Sequence, residues 1–127
     1  MARDPNIPDA FDVHTLVLLR RPPDAPEMSD DELDDLQARH LAYRSELHRQ
    51  GVLVVNGPLG EQSDVRYRGL SIFACDPQEA ARLSDGDPSV QAGRLAYDVM
   101  DWWVGAGSLA FPDAQRPVGD RRAMPDD

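Results

Sequence analysis

The chain offers a short inventory of reactive side chains: three histidines, one cysteine and a surplus of carboxylates. His40 is the residue whose placement asks for an explanation. On a helix spanning residues 29–50, Leu33, Leu36, Tyr43 and Leu47 project within about 60° of it, so a titratable ring points where the apolar stripe points. A lone histidine on an apolar face is most often a hydrogen-bonded core residue. To act as an acid or base it needs a carboxylate that fixes its tautomer and stabilises the protonated ring. Asp87 is the chosen partner, because Asp85-Gly86-Asp87-Pro88-Ser89-Val90 lies in a loop rather than on the acidic outer face of the long helix. An aspartate before proline is, however, usually a helix cap.

Other chemistries find less support. His14, His40 and His48 lack an H-x-x-x-H spacing and a single cysteine builds no thiolate cluster, so no metal site is expected. Cys75, at a strand end, reads as a small buried hydrophobe rather than a nucleophile. No G-x-G-x-x-G, P-loop or G-x-S-x-G occurs, and no cofactor is expected.

The elements that must position His40 and Asp87 follow from periodicity. Residues 1–10 are polar with two prolines and read as a loosely held arm. Residues 11–20 are apolar and β-branched, a first strand whose second half is apolar on both faces. Three prolines in residues 21–28 make a loop. Ser29 and Glu32 then match a capping box, with Asp30 and Asp31 favourably placed in the first turn. Gly51 ends that helix; residues 52–55 read as a short buried strand broken by Asn56-Gly57-Pro58. After a polar connection, residues 69–75 form a third strand, and Asp76-Pro77-Gln78-Glu79 starts a second helix with Glu79 reciprocating the cap. Residues 95–104 form the last strand, in which adjacent Trp102 and Trp103 face opposite sides, one towards the core and the other towards an interface or pocket. From Gly105 onward the chain reads as a tail that is poorly ordered or drapes over the surface.

The order is β-α-β-β-α-β, the α+β split arrangement with a four-stranded antiparallel sheet and two helices on one face. Since the outer strands look apolar on both sides, a homodimer with sheets packed face to face is expected. At 127 residues, 41% of them hydrophobic, the chain suits one domain, here residues 11–104 between the arm 1–10 and the tail 105–127. A net charge of −10 argues against non-specific nucleic-acid binding. No apolar run suggests a membrane span or leader, and the lone cysteine suggests a reducing cytoplasm.

The sequence resembles the YciI-like (YCII-related domain) family. The matching residues are Ala38-Arg39-His40-Leu41-Ala42-Tyr43, Gly51-Val52-Leu53, Gly57-Pro58, Arg68-Gly69 with Ile72-Phe73, Glu79-Ala80, Asp87-Pro88-Ser89-Val90 and Ala92-Gly93-Arg94. The resemblance implies a ferredoxin-like dimeric α/β barrel, and it places the family's proposed catalytic histidine and aspartate at His40 and Asp87. It further implies cofactor-independent isomerisation or elimination, including dehalogenation, on a small cyclic or carbonyl-bearing metabolite. Arg20, Gly57, Pro58, Tyr67, Ser71 and Trp102 are the residues expected to meet that substrate. The rival expectations are a non-catalytic small-molecule-binding or accessory dimerisation domain, and a subunit that docks a partner through a sheet edge or the acidic helix face.

Overall fold

The computed structural model describes residues 4–124, so the first three residues of the expected arm lie outside the described residues. Eight elements follow in order: β1 (Ala10–Arg20), α1 (Asp30–Arg49), β2 (Leu53–Pro58), β3 (Tyr67–Phe73), α2 (Pro77–Asp85), α3 (Pro88–Gln91), β4 (Ala96–Gly105) and β5 (Asp120–Ala123). Antiparallel pairing in the order β2-β3-β1-β4 gives the split βαβ sheet. The central place falls to β1, the strand richest in β-branched and apolar residues, whose two edges are both hydrogen-bonded.

Alternation along β1 sets the layers. Val13, Thr15, Val17 and Leu19 are buried under the helices. Val17 and Leu19 join Leu47, Val52, Leu53, Phe73, Ala80 and Leu95 in one core. On the opposite face the half-buried Leu16 and Leu18 pair in register with Met100, Ile72 and Leu70. There Val55, Leu70, Met100 and Trp102 are exposed, and no helix covers them.

The long helix forms for the reasons its sequence carries. Ser29 Oγ accepts from Glu32 N and Glu32 Oε1 accepts from Ser29 N, both at 3.2 Å, closing the capping box. Gly51, at φ +83°, turns the chain out of the helix as a residue with a Cβ rarely does. At α2 the Asp76 cap is present, but Glu79 turns to Arg82 instead of back to the cap.

Three expectations need correction. Asn56-Gly57-Pro58 does not break β2; the strand runs through it, pairing Asn56, Gly57 and Pro58 with Ser71, Leu70 and Gly69. β2 is an edge strand, where the missing N–H of proline costs no ladder bond. Neither tryptophan of β4 is a core residue: Trp102 is 40% and Trp103 36% exposed, the latter against Phe11 and under Arg122. The tail, expected to be poorly ordered or to drape over the surface, adds a fifth strand, β5, on the edge of β1 from Ala10 to Val13, where β3 no longer reaches; its last three residues lie outside the described residues.

Between β4 and β5 the tail crosses His14 of β1. That ring is 2% exposed, packs edge-on against Phe111 at 5.6 Å, and has no hydrogen-bond partner at either nitrogen among the described residues. Burial pulls its pKa down, Asp12 opposing this, so it packs as a neutral ring. Gly119 passes directly over it at φ +84°, and a Cβ there would stand 2.8 Å from His14 Cε1. Gly119→Ala should therefore cost about 1–3 kcal/mol, through backbone strain and overpacking, as read by urea denaturation. An unchanged midpoint would show that the tail is not seated on His14.

Candidate active site

The i, i+4 spacing of α1 puts His40 and Arg44 one turn apart on its inner side. The short helix α3 brings Asp87 up to both. The Asp87 carboxylate is fully buried and accepts the Nδ1–H of His40 at 2.8 Å to Oδ2 and 2.9 Å to Oδ1. It also accepts from Arg44 Nη1 at 3.4 Å and from the backbone N–H of Ser89 at 2.9 Å. The last bond is the N-cap of α3, so the cap and the histidine partnership coexist in one side chain. The sequence posed them as alternatives.

These contacts decide what the imidazole can do. A carboxylate can only accept here, so Nδ1 carries the proton and the neutral ring presents Nε2 as an acceptor. Nε2 has no protein partner among the described residues. The side chain is 11% exposed and lines a cavity of about 230 Å³ between α1 and the end of the sheet. The histidine is therefore held at one nitrogen and accessible at the other, as a general base or acid must be.

Arg44, which the sequence reading passed over, is the second support. Its side chain is 5% exposed, and its guanidinium bridges Asp87 and the hydroxyl of Ser71 on β3. Burial lowers its pKa, while the charge and hydrogen bond of Asp87 push it back up; arginine remains a cation under such opposition. The available signal was position: Arg44 is one turn beyond His40, within the stripe that should have been apolar.

The residues expected to bind substrate divide in two. Gly57, Pro58 and Ser71 line the His40 cavity. Arg20, Tyr67 and Trp102 do not. Arg20 projects from the face opposite the helices and pairs with Asp98 at 3.1 Å. Tyr67 lies under Arg66 at the hairpin end of β3, and Trp102 sits beside His14 on the open face. The cavity wall instead includes Arg21, Gln37 and Arg68. Strand alternation accounts for the exchange of Arg20 for Arg21, since neighbouring residues leave a strand on opposite sides.

Cys75 is half-buried, and burial with the nearby Glu79 and Asp76 raises its thiol pKa to about 11, the reverse of an activated nucleophile. Among the described residues no group of three or more His, Cys, Asp or Glu could hold a metal ion. No helix among them is long and apolar enough to cross a membrane.

Comparison with known proteins agrees with this architecture. No curated protein matches the sequence. Among solved structures, 5-chloro-2-hydroxyhydroquinone dehydrochlorinase (TftG) from Burkholderia phenoliruptrix AC1100, in complex with 2,5-dihydroxybenzoquinone, superposes with a TM-score of 0.51 at 24% identity. The match covers 70% of this chain and 92% of that one, and it shows a shared fold. The YCII-related domain model matches residues 14–103, from the buried histidine of β1 to Trp103 of β4, a span that includes α1, Asp87 and the residues that line the His40 cavity. The chain accordingly belongs to the YCII-related domain family.

Proposed function

We propose that the protein is a cofactor-independent lyase or isomerase in which His40 moves a proton at a carbon activated by a neighbouring carbonyl or enol. The observation that carries this is the His40–Asp87 pair: Nδ1–H is committed to a buried carboxylate, while the ring lines a cavity and Nε2 has no protein partner among the described residues. In the forward sense Nε2 takes the proton from carbon, and the C–H electron pair moves into an enolate stabilised by the carbonyl. Isomerisation follows if His40 returns the proton to a different carbon. Elimination follows if the electron pair forms a C=C bond and a leaving group such as chloride departs as an anion. The structural neighbour is named a dehydrochlorinase, which supports elimination as a chemistry that this fold accommodates.

The direct test is solvent exchange. Incubated in D₂O with small hydroxyquinones and cyclic keto compounds, the protein should speed deuterium incorporation at the activated carbon, or release of halide from chlorinated analogues. Ligands that bind and raise the melting temperature without exchange or turnover would overturn the assignment in favour of a binding domain.

The assembly proposed with this function is a homodimer through the open sheet face. Val55, Leu70, Met100 and Trp102 form an exposed apolar surface there, and a surface of that kind is ordinarily covered. Light scattering should give twice the chain mass, and Leu70→Asp should shift the protein to monomer; a monomeric wild type would sink the dimer.

A further inference from the structure

The His40 cavity opens beside positive charge that the chain does not neutralise. All 13 basic residues are arginines, set against 23 acids. Most of the arginines lie against a carboxylate, as Arg39 does on Asp35 and Arg66 on Asp64. Arg21, Arg68 and Arg94 form no ion pair among the described residues, although acids are abundant. They are nonetheless held together. Arg21 Nε donates to the carbonyl of Arg94 at 2.8 Å, and its backbone N–H donates to the carbonyl of Arg66 at 2.7 Å, drawing in the start of β3. Arg21 and Arg68 both line the cavity. Burial, then the charges of Arg94 and Arg68, pull the Arg21 pKa down, a sign of like charges kept close.

Clustered cations repel one another, and a chain with net charge −10 could have paired them. Their shared position suggests that the missing partner is a ligand. Arg44 is not free for this role, because Asp87 and Ser71 occupy it. Arg21, with Nε bound to Arg94, still has both terminal amino groups to offer. The rest of the wall is partly apolar, including Leu19 and Leu95.

Resting on the reading of His40 as the proton-transfer residue, we infer that the substrate is a small organic carboxylate: Arg21 and Arg68 clamp its carboxylate, and its apolar body lies over Leu19 and Leu95 towards His40. The clamp would position the reacting carbon, the use to which arginine–carboxylate pairs are well suited.

Calorimetric titration of the full chain with benzoate, benzamide and inorganic phosphate tests this. Benzoate should bind, with neutral benzamide at least about ten-fold weaker, since charge-assisted hydrogen bonds are lost. Arg68→Met, at an exposed side chain that folding does not require, should weaken benzoate by about ten-fold; Arg21→Met should do the same. Arg116→Met, at an arginine outside the cavity, should change nothing. Absence of benzoate binding, equal affinity for benzamide, tighter binding of phosphate, or indifference to Arg68→Met would each overturn the carboxylate assignment. His40→Gln should leave benzoate affinity within about two-fold, because the clamp makes the contact. Its effect on turnover then judges the catalytic reading separately from this one.

Discussion

Asp87→Ala should lower stability by about 3–5 kcal/mol, the cost of removing one member of a buried charge pair. The carboxylate is fully buried and serves His40, Arg44 and the first N–H of α3 together. Without it the Arg44 guanidinium remains buried with only Ser71 beside it, and α3 loses its cap, worth about 1 kcal/mol of that total. For a chain of this size the melting temperature should fall by roughly 10–20 °C. Asp87→Asn should cost less, since its side-chain oxygen still accepts from Ser89. The double variant Asp87→Asn with Arg44→Met should recover much of the loss, because replacing both partners removes the orphaned charge. Thermal and urea unfolding followed by circular dichroism read all three. An Asp87→Ala protein melting within a degree or two of the wild type would mean that Arg44 is already solvated and the pair is not closed.

How far the site could be read from the sequence depended on which interactions were local. The stripe singled out His40 locally, but local pattern alone favoured a core role for it and a cap for Asp87; the family resemblance joined the two as a pair, and the structure brings them into hydrogen-bond contact. Ser29, Glu32 and Gly51 bounded α1 correctly because capping chemistry lies within four residues in sequence. Arg44 was missed although it lies on the same face as His40, because its partners Ser71 and Asp87 are 27 and 43 residues away. Its place in the stripe was a local sign of burial, but the groups that pair with the charge are set by residues far away in sequence.

Strand parity explains a second group of misses. Arg20 and Arg21 look equivalent at the end of an apolar run, yet the pleat sends Arg20 to Asp98 on the open face and leaves Arg21 at the cavity. A register shift in the β1–β3 pairing falls at Leu19/Arg20, where periodicity is least informative. β5 was invisible for a different reason. Its sequence, Asp120-Arg121-Arg122-Ala123, has no apolar alternation, because all four residues are exposed and the strand is held by backbone pairing with β1, by Arg121 on Asp12 and by Arg122 over Trp103. The free edge of β1 beyond the end of β3, the seat of Phe111 on His14, and the carbonyls of Arg49 and Gln50, which accept from Gln115 and Arg116, give the tail a place to go.

The largest effect on activity should come from His40. Replacing it with alanine removes the only titratable nitrogen that the Asp87 pair presents to the cavity, and positioned proton transfer contributes about 10²- to 10⁴-fold in rate. His40→Ala should therefore lower kcat by that factor on whichever substrate exchanges its carbon-bound proton. Binding of the substrate should change much less, because a base works on the transition state more than on the bound ground state. Adding imidazole to the variant should restore part of the rate, since the cavity left by the ring faces the substrate side. Asp87→Asn separates chemistry from mere presence of the ring. An asparagine can turn its amide N–H₂ towards Nδ1, which then accepts, and the proton moves to Nε2, the tautomer that cannot take a proton from carbon. In a serine-protease triad the equivalent change costs about 10⁴-fold with geometry intact. A loss of similar kind here, in a protein still folded at assay temperature, would identify Asp87 as the group that sets the tautomer. Full turnover in folded His40→Ala would remove the proposed function, and the buried Asp87, Arg44 and Ser71 contacts would then stand as a structural polar network alone.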